Sequence, residues 1–232
     1  MSNAFKNKKQ FMDNGYYICR DIIPVSLIDE VVNWSVENED KYITETDKLF
    51  DSEYKILDWG FAEHRTSSNI NNPYIKVQNF LLDYVQELMN MRLIPTYTCG
   101  RIHLNDKKGM RWHSDRAPCE ISVTMPFAYS GSPWPIWLKA NNGKQAVKLK
   151  VGDVLLYKGC EIEHHREPHN EEYAFQHYFH FVDVESEVGS LLQYYDQRRS
   201  SMWPANLDGM VYRNELPQIT ESVKNYYKEN IK

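Results

Sequence analysis

The chain is 232 residues long, carries a net charge of −5, and is 42% hydrophobic and 25% charged. That is the balance of a soluble globular protein, and it excludes a chain disordered along its whole length. The acidic excess counts against a nucleic-acid-binding surface, which needs basic groups to meet phosphates, and no stretch reaches the ~20 apolar residues that span a bilayer.

Residues 1–10 are polar and lysine-rich, without the apolar centre of a signal peptide. The four cysteines, Cys19, Cys99, Cys119 and Cys160, form no Cys-x-x-Cys pair, so no structural zinc site is expected. Together these features predict a cytoplasmic protein with reduced thiols and no membrane association. A single domain is expected over 1–232, with a helical N-terminal support and possible lid (1–92), a β core (93–183) and a helical C-terminal extension (184–232).

In chain order, residues 5–13 read as a short helix and 16–23 as a strand. Pro24 interrupts, and Ser26 with Asp29 matches a capping arrangement opening a second helix, whose apolar stripe is Leu27, Ile28, Val31, Val32 and Trp34. Residues 37–65 are polar and acidic with interspersed aromatics, and read as an irregular excursion with short strands or as a lid. Residues 72–91 carry the strongest helical pattern, with Ile75, Phe80, Leu81, Tyr84, Val85 and Leu88 toward one side. After Ile94 the apolar period becomes two. Strands are predicted at 97–105, 110–113, 120–127, 136–140, 145–150, 153–157, 162–166 and 173–182, joined by turn formers such as Asn141-Asn142-Gly143. About eight short antiparallel strands with flanking helices predict a mainly β fold, a jelly roll or double-stranded β-helix of cupin-like type. A last helix is expected at 218–230.

Alternation along a strand assigns side chains to faces. His113 and Asp115 share one face, with Trp112 and Ser114 pointing away. His164 and Arg166 share a face, and Glu163 and His165 take the other. Cys99, Arg101 and His103 line one side of their strand. If these stripes face inward, they enclose His113, Asp115, His164, Arg166, Arg101 and His103, and buried charges of this kind require partners or a ligand. A His-x-Asp plus a distant His supplies two imidazoles and one carboxylate. That is the ligand set of a non-haem Fe(II) site, which leaves metal positions open for a co-substrate and oxygen. His165 competes as a ligand, but His164 is preferred because it shares its face with Arg166.

The segments Trp112-His113-Ser114-Asp115 and Gly152-Asp153-Val154-Leu155-Leu156-Tyr157, followed by His164, resemble the Fe(II)/2-oxoglutarate-dependent oxygenases, in particular prolyl-4-hydroxylase-like members from bacteria and phages. The resemblance covers residues 94–183. It implies His113, Asp115 and His164 as the catalytic iron ligands, with Fe(II), 2-oxoglutarate and O2 as cofactor and co-substrates. Family members hold the distal carboxylate of 2-oxoglutarate with a Lys or Arg on the strand after the last His, and here 173–182 contains neither. Arg166 is the first candidate for that role. Arg101 is the second, with His103, because these two stand at the offsets of the Asn and Tyr that contact 2-oxoglutarate in alkylated-nucleic-acid demethylases. Gln176, Tyr178 and His180 share a face of the late strand and are candidates to hydrogen-bond the ligand.

The implied reaction hydroxylates an unactivated C–H bond in a prolyl or other peptide side chain or in a small metabolite. Trp112, Met125, Tyr129, Trp134 and Trp137 are candidates to line the opening. The competing readings are a nucleic-acid repair demethylase, a cupin-like metalloprotein that does not use 2-oxoglutarate, and a non-catalytic β-sandwich with incidental histidines.

Overall fold

The structure, a computed structural model, describes residues 3–38, 42–47, 52–57, 73–104, 109–187 and 189. The elements run α1 (Asn3–Asn14), β1 (Tyr16–Cys19), α2 (Val25–Glu37), β2 (Tyr42–Asp47), β3 (Ser52–Leu57), α3 (Pro73–Met89), β4 (Leu93–Leu104), β5 (Met110–His113), β6 (Ile121–Tyr129), β7 (Ile136–Ala140), β8 (Gly143–Val147), β9 (Val154–Lys158), β10 (His164–Arg166) and β11 (Tyr173–Asp183). They pair into a seven-stranded sheet, β1-β9-β6-β11-β4-β3-β2, and a four-stranded sheet, β5-β10-β7-β8. Every described pairing is antiparallel.

The strands β9, β6 and β11 of the large sheet are buried on both sides, and the strand period explains what each side does. Ile121, Val123, Met125 and Phe127 of β6 join Phe175, Phe179 and Phe181 of β11 against Ile28 and Val31 of α2 and Val77, Leu81 and Val85 of α3. Each such side chain, taken fully out of water, contributes about 1.5–3 kcal/mol. The alternate residues, Ser122 and Thr124 on β6 and Gln176, Tyr178 and His180 on β11, point the other way, toward the small sheet. On β9 the same rule sends Val154 and Leu156 to the helices, while Leu155 and Tyr157 pack with Ile136 and Leu138 of the small sheet. Polar residues thus line the inside of an otherwise apolar sandwich.

Gly100 on β4 has a steric role. A Cβ there would stand 2.7 Å from His177 Nδ1, and its absence lets the imidazole stack on Tyr74 of α3 at 4.3 Å between ring centroids.

Several expected boundaries shift for physical reasons. The first strand stops at Cys19, because Asp21 turns into left-handed backbone (φ 50°) and the Ile22 and Ile23 N–H groups donate to the Gly152 carbonyl. The second helix has no Ser26–Asp29 cap. Pro24 itself is the N-cap residue, makes no side-chain capping bond, and accepts from Leu27 and Ile28 through its carbonyl. The buried face of α3 centres on Tyr74, Val77, Leu81, Val85 and Met89, with Phe80, Tyr84 and Leu88 at its margin. β4 begins at Leu93 rather than Tyr97, and Pro95, which lacks an N–H, pairs with Phe181 beside the register shift between Phe179 and Phe181. Within 37–65, β2 and β3 form an antiparallel pair that extends the large sheet beyond β4. The rest of the lid reading and the helix expected at 218–230 lie outside the described residues.

Candidate metal centre

His113 ends β5 and His164 begins β10, and the two are direct partners in the ladder. Their rings stand 4.3 Å apart between centroids. Beyond β5 the chain turns in, fixed by the Asp115 N–H donating to the Gly159 carbonyl at 2.8 Å. This brings Asp115 Oδ1 to 3.6 Å from His164 Nε2 and 4.0 Å from His113 Nε2. One ligand atom from each of the three residues lies within 4.8 Å of the others.

Each imidazole is held in the tautomer a metal requires. His113 Nδ1 donates to the Arg111 carbonyl at 2.8 Å, and His164 Nδ1 donates to the Ile162 carbonyl at 2.9 Å. In the neutral form of each ring, this leaves the Nε2 lone pair on the Asp115 side. The carboxylate is held from behind. Ser122 Oγ donates to Asp115 Oδ2 at 2.8 Å, and Tyr157 OH donates to the same oxygen at 3.5 Å. Gly159 leaves the room: a Cβ there would meet the Cys119 carbonyl at 2.3 Å and Asp115 Oδ2 at 2.6 Å.

The electrostatics fit an anion among imidazoles. Burial pushes the Asp115 carboxyl up, but His164, His180 and His113 together hold it well below the usual carboxylate range. Burial, reinforced by His164, pulls His113 down to about 4. Burial opposes the charged form of His164 too, but the neighbouring Asp115 and the Ile162 carbonyl outweigh it and raise that group. A second set of ligand-type atoms, from Asp115, Cys119 and His180, lies within 4.8 Å of one another on the buried side of Asp115.

The candidate anion-binding residues separate clearly. Arg166, 2% exposed, crosses from the small sheet to the large one. Its guanidinium donates to the Trp134 carbonyl at 2.6 Å and to Gln176 Oε1 at 3.3 Å, and lies over the Trp134 ring at 5.0 Å. Burial works against its charge, and the nearby Tyr178 and Tyr157 offset part of that cost. Arg101 is the ladder partner of Gln176, on the same inner face, and its charge acts on both His113 and His180. His103 is fully buried and packs edge-on against Trp134 at 4.8 Å. His165 lies on the outer side of β10, against Trp112 at 4.0 Å between centroids.

Most of the expected aromatic lining is engaged elsewhere. Met125 belongs to the helix-facing core, Trp112 and Trp137 flank His165 on the outer face, and Trp134 is buried with His169 stacked on it at 4.9 Å. Four residues that now matter were missed from sequence: Ser122, Thr124, Tyr157 as a carboxylate donor, and Gly159. The alternation of β6, with polar residues between Ile121, Val123 and Met125, was the available signal for the first two. Asp153, within the quoted motif, has a structural role. Its carboxylate accepts from Arg20 at 2.6 Å and from the backbone N–H groups of Asp21 at 3.0 Å and Lys150 at 2.9 Å.

No protein-family model matches the sequence, and no curated protein matches it. Solved structures do match its shape. The chain is similar to a prolyl hydroxylase from Trichoplax adhaerens in complex with a hypoxia-inducible-factor oxygen-degradation-domain peptide, at 16% identity and a TM-score of 0.57, over 78% of this chain and 92% of that one. It is similar to a prolyl-4-hydroxylase from Pseudomonas putida at 10% identity and a TM-score of 0.54, over 76% and 98% of the two chains. It is also similar to HygX from Streptomyces hygroscopicus, solved with nickel, 2-oxoglutarate and hygromycin B, at 13% identity and a TM-score of 0.58, over 89% and 95%. At these identities the likeness establishes the fold, the double-stranded β-helix expected from the strand pattern.

Proposed function

We propose that the protein is an Fe(II)- and 2-oxoglutarate-dependent oxygenase that hydroxylates an unactivated C–H bond of a peptide side chain or small molecule. The observation that carries this reading is the convergence of His113, Asp115 and His164, with both Nε2 atoms and Asp115 Oδ1 turned toward one another. Two imidazoles and a carboxylate, with no fourth protein donor in the group among the described residues, are the donors of a non-haem iron centre that keeps positions open.

The residues present also fit the keto acid. Arg166 Nε and Thr124 Oγ1 are buried polar atoms without a hydrogen-bond partner among the described residues. Thr124 and Tyr178 are ladder partners on the inner face of the large sheet, and Tyr178 lies close to Arg166. Leaving such donors unmet costs about 1–3 kcal/mol each, and a carboxylate meets them. In this reading Arg166 takes the distal carboxylate of 2-oxoglutarate, reaching across from β10 to where β11 offers Gln176 instead of a basic residue. Arg101, beside Gln176, is the second candidate. Iron with 2-oxoglutarate and O2 supplies the oxidising chemistry. This chain's residues bind and orient the pair: His113 and His164 through Nε2, Asp115 through Oδ1, and Arg166 by a charge-assisted hydrogen bond in a water-poor interior.

The test is spectroscopic. Anaerobic addition of Fe(II) and 2-oxoglutarate gives a visible metal-to-ligand charge-transfer band that His113→Ala abolishes and His165→Ala preserves. A band that survives His113→Ala and disappears with His165→Ala overturns the ligand assignment. A protein that takes up no stoichiometric iron overturns the oxygenase reading.

A further inference from the structure

We infer that Ser122 is a positioning residue that keeps Asp115 a one-oxygen ligand, and that His180 acts through it. This inference rests on the iron-centre reading above. Six positions surround an octahedral metal. One donor each from His113, Asp115 and His164, plus two oxygens from a keto acid, leave one position for O2. An aspartate that swung round to offer both oxygens would fill it. The carboxylate therefore needs its second oxygen held elsewhere.

The inner face of the large sheet provides that restraint. Tyr157 on β9, Ser122 on β6 and His180 on β11 are successive ladder partners, forming a row across three strands beside Asp115. Ser122 is fully buried. Its Oγ lies 2.8 Å from Asp115 Oδ2, 3.0 Å from His180 Nδ1 and 3.1 Å from the Cys119 carbonyl. A hydroxyl has one proton to give. The carboxylate is both the nearer and the charged acceptor, so it takes the main share. Oγ, its own proton engaged, then accepts from His180 Nδ1–H. The result is a directed chain, His180 Nδ1–H to Ser122 Oγ–H to Asp115 Oδ2, which leaves Oδ1 on the side of His113 and His164. Tyr157 adds a longer bond to the same oxygen.

The experiment measures binding of Co(II) to the full chain by titration of its ligand-field absorption, without turnover. Ser122→Ala weakens binding about 10–100-fold, as loss of an outer hydrogen bond to a metal ligand does. His180→Leu shifts it in the same direction. His180→Asn, whose amide nitrogen falls near the place of Nδ1, restores most of the affinity. Tyr157→Phe has a smaller effect than Ser122→Ala. The thermal midpoint of each variant checks that it folds, and if Ser122→Ala does not, the His180→Leu and His180→Asn pair carries the test. If Ser122→Ala and His180→Leu bind cobalt like the parent while His113→Ala does not, the positioning role falls and the iron-centre reading stands. If His113→Ala also binds like the parent, the iron-centre reading falls. A thiolate-to-cobalt charge-transfer band places the ion with Cys119 and His180, and overturns the inference.

Discussion

The two sides of the small sheet use nearly the same residues to opposite ends. Inside, His113 and His164 face each other across β5 and β10 at 4.3 Å, and outside, Trp112 and His165 do the same at 4.0 Å. The inner rings each give an N–H to a backbone carbonyl and aim the other nitrogen at a carboxylate. The outer ring lies against an indole that Lys139 and Lys144 cover at 4.9 and 5.2 Å, and Lys139 in turn pairs with Glu163. Burial and the Lys144 charge draw His165 down, and the Met110 backbone and the Glu167 carboxylate offset them only in part. What surrounds an imidazole decides what it can do, and one residue of register separates the two settings.

That contrast can be broken most severely from the inside. His113→Ala or Asp115→Ala should reduce Fe(II) or Mn(II) affinity by about two orders of magnitude or more, since each removes a direct donor and the loss exceeds the 10–100-fold of an outer-shell change. Isothermal titration reads this, and an unchanged affinity would erase the distinction between the two faces. Arg166→Met should next weaken 2-oxoglutarate binding by about 2–5 kcal/mol, the range for losing one partner of a buried charge pair, with metal affinity little changed. Gly159→Ala should destabilise the fold by about 1–3 kcal/mol in denaturant titration, because the added methyl has the Cys119 carbonyl and Asp115 in its way.

A carboxylate away from the site sharpens the comparison. Asp153→Asn should cost on the order of 2 kcal/mol of stability near neutral pH, through its hydrogen bonds to Arg20 and two backbone amides. Burial raises the Asp153 pKa, but those donors together lower it below the ordinary value. Its contribution is therefore complete above about pH 4 and is lost as the pH falls through the folded-state value. The stability gap between parent and variant should close in acid, and a gap that widened there would contradict the assignment. The smallest effect belongs to the outer face. Trp112→Ala should remove about 0.5–1 kcal/mol of cation–π interaction, beyond its packing, and leave metal affinity alone.

The convergence of His113, Asp115 and His164 was legible in the sequence because alternation is a local rule. His113 with Asp115, and His164 with Arg166, follow from counting by two on strands whose existence the apolar pattern announces. The helices were legible for the same reason, although the centre of the α3 face moved to Tyr74, Val77 and Leu81. The support around the triad was not legible. Ser122 meets Asp115 only because β6 pairs with β9 and β11, and Gly159 meets Asp115 only because the chain turns after β5. No window along the chain contains those neighbours. Asp153 shows the converse: it stands in the motif that prompted the family resemblance, yet its partners are Arg20 and the backbone of Asp21 and Lys150, which give it a structural role.

The junction at Gly15 joins both layers. Its carbonyl accepts from Lys158, at the end of β9 beside Gly159, while the Asn14 and Asp13 carbonyls accept from Asn141 in the turn between β7 and β8. Proteolytic clipping here would detach the Asp13 and Asn14 carbonyls from Asn141, while β1 would still cover the edge of β9. A segment outside the cluster of His113, Asp115 and His164 thus ties the end of β9, next to Gly159, to the turn between β7 and β8.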